Sequence, residues 1–160
     1  MNLIDKLRLM QVKRYAICHV NRDQSVAEHS YNVMLIAVEL AQETRDFDVI
    51  QEVTSYAMVH DMEEIYTGDI PSGFKKRLRA ECPAVTELLN GIYTAPDSIK
   101  AIVKLADYLE AMYYLREFGG SRIADQVLED ITRNFHEECQ TSKANPRVVA
   151  RAQAIWVSLE

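Results

Sequence analysis

Between Ser98 and Phe118 the chain runs without a glycine or a proline, while Ile99, Val103 and Ala106 recur at helical spacing. That pattern predicts a long helix, capped by Asp97 or Ser98 and stopped by Gly119-Gly120. The rest of the chain repeats the theme. Leu3, Leu7, Met10, Arg14 and Ile17 fall at helical spacing and predict a first helix with Arg14 in line with its apolar stripe. Ser25 and Glu28 form a capping box, behind which His29, Val33, Ile36 and Leu40 share one face. A third helix carries Ile50, Val53 and Ala57 inward and reaches His60-Asp61 near its end, with Gly68 as the stop signal. Residues 69–82 read as an irregular, partly basic connection containing Pro71-Ser72-Gly73, followed by a short helix from Pro83 to Asn90. Ser121 opens a helix with Ile123, Val127, Ile131 and Phe135 inside, and Asn145-Pro146 starts a last one with Val149, Ala152 and Trp156. No segment alternates convincingly in the manner of a strand. The expected class is therefore all-α, a helical bundle of about seven helices.

Composition narrows the function. Only 5 glycines and 4 prolines interrupt 160 residues, 48% of them hydrophobic, so residues 1–160 are expected to form a single domain around one core. The longest apolar run, Val33 to Val38, is too short to cross a bilayer. The N-terminus mixes charge with apolar residues and lacks the apolar block of a signal peptide. Cys18, Cys82 and Cys139 are widely spaced and form no CxxC pair, which argues for a reducing, cytoplasmic compartment and against a thiolate metal site. A net charge of −6 disfavours a nucleic-acid polymer or an anionic membrane as partner, though not a small phosphorylated ligand.

The chemistry concentrates in His60-Asp61, with His29 upstream, Asp107 downstream, and Glu63, Glu64 and Asp69 close by. Two imidazoles and two carboxylates suit a divalent cation of intermediate hardness (Mn, Fe, Co, Ni or Zn) better than calcium. Four protein ligands leave positions open for water and a substrate oxygen, an arrangement suited to phosphate-ester hydrolysis. Neighbouring side chains on a helix diverge by about 100°, so His60 and Asp61 share an ion only near a helix end or across a groove. Each residue also has a blander reading. His29 alone is more often a core histidine, and Asp107 is equally a buried carboxylate paired with an arginine such as Arg14. Glu63 and Glu64 read as solvent-facing helix residues, and Asp69 as a turn former. Lys75, Lys76, Arg77 and Arg79 read either as a solvated face or as an anion site. His19 and His136 are read as structural or surface residues.

Three blocks, KRYAICHVNRDQSVAEHSYNV, HDMEEIYTGDIPSGFKK and KLADYLEAMYYL, together with the order H…HD…D, resemble the HD-domain metal-dependent phosphohydrolases. Within that superfamily they are similar to the 5′-deoxynucleotidase branch, which also includes phage dATP triphosphohydrolases. The resemblance covers essentially the whole chain. It implies His29, His60, Asp61 and Asp107 as metal ligands, with Mn, Co, Zn, Fe or Mg as the ion and more than one ion conceivable when a triphosphate is bound. It further implies Arg14 as a phosphate contact, Ile17 beside the base, Glu64 as the catalytic acid/base carboxylate and Asp69 as a second catalytic carboxylate of the pocket, holding substrate or a further ion. Tyr15 stands where the family usually has a tryptophan against the sugar. The implied reaction is attack by activated water on the α-phosphorus of a deoxynucleotide.

Lys75, Lys76 and Arg77 are extra cations that a triphosphate tail would use, which favours a triphosphohydrolase over a 5′-deoxynucleotidase acting on monophosphates. A non-catalytic metal- or nucleotide-binding regulatory module is the alternative of another class, and a phosphodiesterase ranks lower. The resemblance also implies a homo-oligomer, with Tyr113, Tyr114, Phe118 and Trp156 as core or interface aromatics and core the expected place for each.

Overall fold

The computed structural model describes residues 2–82 and 94–159. Among these, eight α-helices occur and no strand: α1 (Leu3–Leu7), α2 (Val26–Ala41), α3 (Phe47–Ala57), α4 (Glu64–Thr67), α5 (Ser72–Glu81), α6 (Asp97–Phe118), α7 (Arg122–Thr141) and α8 (Pro146–Leu159). The short helix expected over Pro83–Asn90 lies outside the described residues. None of the described helices is long and apolar enough to cross a membrane.

Helix α6, 22 residues long, is the axis of the molecule. Ile102, Leu105, Ala106, Leu109 and Met112 on it meet Val33, Ala37 and Leu40 of α2, Val53 and Ala57 of α3, Phe135 of α7, and Val148, Ala152 and Trp156 of α8 in one cluster. Each large aliphatic side chain removed from water here contributes roughly 1.5–3 kcal/mol. Local chemistry sets the ends of these helices. Ser25 accepts from Glu28 N–H at the start of α2, Asp46 accepts from Asp48 and Val49 N–H at α3, and Ser121 accepts from Ala124 N–H at α7.

Several expectations need correction. The long helix follows Pro96 with no side-chain cap from Asp97 or Ser98, and the third helix ends at Ala57, before His60-Asp61. The first helix ends at Leu7, continues as a single 3-10 turn over Arg8–Gln11, and does not reach Ile17. Val12 ends it: its carbonyl accepts from Val26 N–H, and Arg14 N–H goes to the Gln24 carbonyl instead of back along a helix. Leu3, Leu7, Met10 and Ile17 consequently face solvent, and only Leu9 of this region is buried. Residues 72–81 are helical rather than irregular, a run of good helix formers following Pro71. Ile123 is exposed, because Ala124 takes the inward position at the start of α7. Tyr113 is exposed as well, whereas Tyr114 and Trp156 are buried and Phe118 is half-buried.

Candidate metal and substrate site

His29 sits in the first turn of α2, fully buried, and α6 crosses that turn. His60 and Asp61 lie past the end of α3, in the turns that lead to α4. Freed there from helical register, their side chains converge: Asp61 Oδ2 is 3.4 Å from His60 Nε2 and 3.6 Å from His29 Nε2. Donor atoms of His29, His60 and Asp61 all lie within 4.8 Å of one another. Asp107 lies just outside that tight set and joins it from α6, with Oδ1 3.3 Å from His29 Nε2.

The imidazoles are turned the same way. His60 Nδ1 is 2.7 Å from the Ala57 carbonyl and His29 Nδ1 is 2.6 Å from Glu110 Oε2, so each ring donates through Nδ1 and presents Nε2. Arg14 Nη1 is also 2.5 Å from His29 Nδ1. Only one hydrogen fits between those nitrogens, and Nδ1–H to Glu110 is the tautomer that leaves Nε2 as a lone pair. Both Nε2 atoms are buried without a hydrogen-bond partner, and so is Glu64 Oε2. Buried polar atoms left unmatched cost about 1–3 kcal/mol each. A divalent cation with its water would satisfy all three, and the nitrogen and oxygen donor set fits one of intermediate hardness.

Charge is arranged to the same end. Burial would raise Asp61 and Asp107, yet both are held below the usual carboxylate range, Asp61 by His60 and Lys75, Asp107 by Lys104 and His29. Burial and the Arg14 charge would lower His29, but the facing carboxylates of Asp107 and Glu110 push it up to about 9, so a cation binding at Nε2 would displace a proton from the ring. Glu64 is pushed up to about 8, by burial first and then by Asp61, even though Lys75 Nζ donates to its Oε1 at 2.8 Å. A carboxyl so placed takes up and releases a proton near neutrality.

A cavity of about 770 Å³ opens over these groups. Of the residues expected to contact substrate, Arg14, Tyr15, Ile17, Lys75 and Lys76 line it, and Arg77 does not. Helical geometry splits the basic cluster. Lys75 and Arg79, four apart, turn inward onto Glu63 and Glu64, Lys76 stands at the rim, and Arg77 points outward beside Glu81. Glu63 and Glu64 are both buried, not solvent-facing. Asp69 lines the cavity and accepts the Tyr15 N–H at 2.8 Å. Tyr15 has φ 59°, left-handed for a residue with a β-carbon, and its ring stacks on Tyr114 at 5.3 Å.

The residue that sequence reasoning missed is Glu110. Buried one turn beyond Asp107, its carboxylate accepts from Arg14 (3.1 Å), Gln24 (2.6 Å), His29 (2.6 Å) and Asn32 (3.3 Å). Arg14 therefore pairs with Glu110, not with Asp107. The available signal was position: Glu110 follows Asp107 by three, one turn along the same face of the helix.

The HD-domain family model matches residues 4–153. The chain belongs to the HD-domain family. It is 34% identical, over 97% of its length and 86% of the relative's, to a dATP triphosphohydrolase of Salmonella phage PMBT28. It is 28% identical, over 66% of its length and 60% of the relative's, to a 5′-deoxynucleotidase of Shewanella oneidensis. Among solved structures it shares its fold with the HD phosphohydrolase of cyanophage S-2L, bound to dA and one catalytic Zn²⁺ ion: TM-score 0.82, 22% identity, covering 99% of this chain and 96% of that one. The chain is thus a phosphohydrolase of the HD-domain type.

Proposed function

We propose that this HD-domain protein is a metal-dependent triphosphohydrolase of deoxynucleoside triphosphates, dATP foremost, releasing the deoxynucleoside and inorganic triphosphate. The observation that carries this reading is the pair of buried, partnerless Nε2 atoms of His29 and His60, turned with Asp61 and Asp107 toward a cavity lined by cations. The substrate class is supported by the phage dATP triphosphohydrolase that matches nearly the whole chain.

His29, His60, Asp61 and Asp107 hold the ion. When bound, a divalent cation acidifies water and polarises a phosphoryl oxygen. The water oxygen bonds to the α-phosphorus, the bond from that phosphorus to the 5′-oxygen breaks, and a proton lost by the water ends on the 5′-oxygen. Glu64 handles that proton, oriented by Lys75 on its other oxygen. Arg14, immobilised by Glu110, stabilises charge on the phosphoryl oxygens. Tyr15 packs on the sugar, Ile17 beside the base, and Asp69 fixes the Tyr15 turn. Lys76 stands where a phosphate tail leaves the cavity. The protein acts in the cytoplasm and as a homo-oligomer, the latter supported by exposed apolar side chains such as Leu3, Ile4 and Tyr113.

The deciding experiment is a panel of dAMP, dADP and dATP with Mn, Co, Mg and Zn, resolving the products. Deoxyadenosine and inorganic triphosphate from dATP are expected. Orthophosphate from dAMP with nothing from dATP would make the protein a 5′-deoxynucleotidase, and nucleotide binding without any turnover would make it a regulatory module. Asp61→Asn should lose both bound metal and turnover. Glu64→Ala should keep the metal and lose about 10²–10⁴ in rate, since it removes proton handling alone.

A further inference from the structure

Helix α6 carries its cavity-facing residues in one stripe: Lys100, Val103, Lys104, Asp107, Tyr108 and Ala111. Asp107 divides that stripe into two halves of opposite character. On the C-terminal side stands Ala111, with Val127 of α7 and the Tyr15–Ile17 turn on the same cavity. On the N-terminal side, Lys104 and Lys100 follow one and two turns away, roughly 4.5 and 10.5 Å along the axis at about 1.5 Å per residue. Lys104 Nζ donates to Asp107 Oδ2 at 3.1 Å and lies 4.4 Å from the Tyr108 ring centroid, which holds its stem along the wall. Lys100 is exposed. Across the cavity α5 presents Lys76 and Arg79. The N-terminal end of α6 adds the positive end of a six-turn helix to the same side.

We infer that Lys104 and Lys100 form a receiving wall for the β- and γ-phosphates, so that the phosphate tail runs from Asp107 toward the start of α6 and the nucleoside lies toward Ala111. This inference rests on the triphosphohydrolase reading and deepens it by giving the substrate a direction. The tail is also the part of the substrate that leaves as inorganic triphosphate, because the broken bond is the one to the 5′-oxygen. The wall therefore binds product as well as substrate, and inorganic triphosphate alone reports on it. Lys104 touches a metal donor, so Lys100 is the cleaner probe.

Calorimetric titration of the Mn-loaded protein with inorganic triphosphate and, separately, orthophosphate tests the wall without turnover. Lys100→Ala should weaken triphosphate about tenfold, the loss of one charge-assisted contact, and move orthophosphate by less than about twofold. Lys100→Glu should weaken triphosphate further, and Lys100→Arg should restore most of it. Arg147→Ala, which removes a surface charge on α8, should leave both titrations unchanged. Equal losses for both anions, or none for either, would overturn the wall. Failure of the parent reading shows separately, as wild-type protein that leaves dATP intact in the product panel.

Discussion

Helix α6 and the N-terminal segment to Gln24 build the same site by opposite means. Helix α6 buries twelve residues and delivers Asp107 and Glu110 from a scaffold fixed by apolar packing. The N-terminal segment buries little besides Leu9 and leaves Leu3 and Ile4 71% and 75% exposed. Of its cavity residues, Arg14 and Tyr15 are held by polar contacts: Arg14 to Glu110, Tyr15 N–H to Asp69, and backbone pairing of Val12 and Arg14 with Val26 and Gln24. Packing thus places the proposed metal donors, while hydrogen bonds and one buried ion pair place the turn proposed to face substrate. The two regions should fail differently.

Glu110→Ala breaks the contrast most severely, because it strands the Arg14 charge and the His29 ring together. Stability should fall by about 3–5 kcal/mol in denaturant unfolding, and metal affinity by about 10- to 100-fold in a metal titration. Unchanged metal affinity would reduce Glu110 to an anchor of the N-terminal segment alone. Leu109→Ala, next to it but facing the core, should cost about 2–5 kcal/mol of stability and leave the metal affinity of the folded protein intact. Asp69→Ala should cost about 1 kcal/mol, the net worth of the lost bond to Tyr15 N–H, and raise KM more than it lowers kcat. A fall in kcat with KM unchanged would return Asp69 to a direct chemical role. Leu7→Ala, on the exposed face of α1, should stay within about 0.5 kcal/mol of the parent in the same unfolding assay.

What could be read in the chain alone divides along the same line. Ser25, Ser121 and Pro146 mark helix ends through capping and backbone chemistry that acts within one turn, and the structure uses all three, whereas Gly68 ends the short α4 and not the third helix, which stops at Ala57. His29, Asp107 and the His60-Asp61 pair were nameable because donors of those types are rare on inward faces. The course of residues 12–25 was not readable. Helical spacing continued through Arg14 and Ile17, and what ended the helix was pairing with Gln24 and Val26, a tertiary event that local pattern does not contain. Glu110 was hidden for a related reason: a carboxylate becomes a hub only when four donors from other segments arrive around it. The basic cluster was read as one unit, but a helix turns neighbours by about 100°, so Arg77 faces away from the cavity that Lys75 lines.

The left-handed backbone of Tyr15 has an evolutionary corollary. Glycine would adopt φ 59° without the penalty of about 1 kcal/mol or more that a β-carbon incurs there. It would also delete the aromatic surface that stacks on Tyr114 and borders the cavity. A screen selecting only for thermal robustness should therefore drift toward glycine at this codon, and a screen selecting for catalysis should drift back.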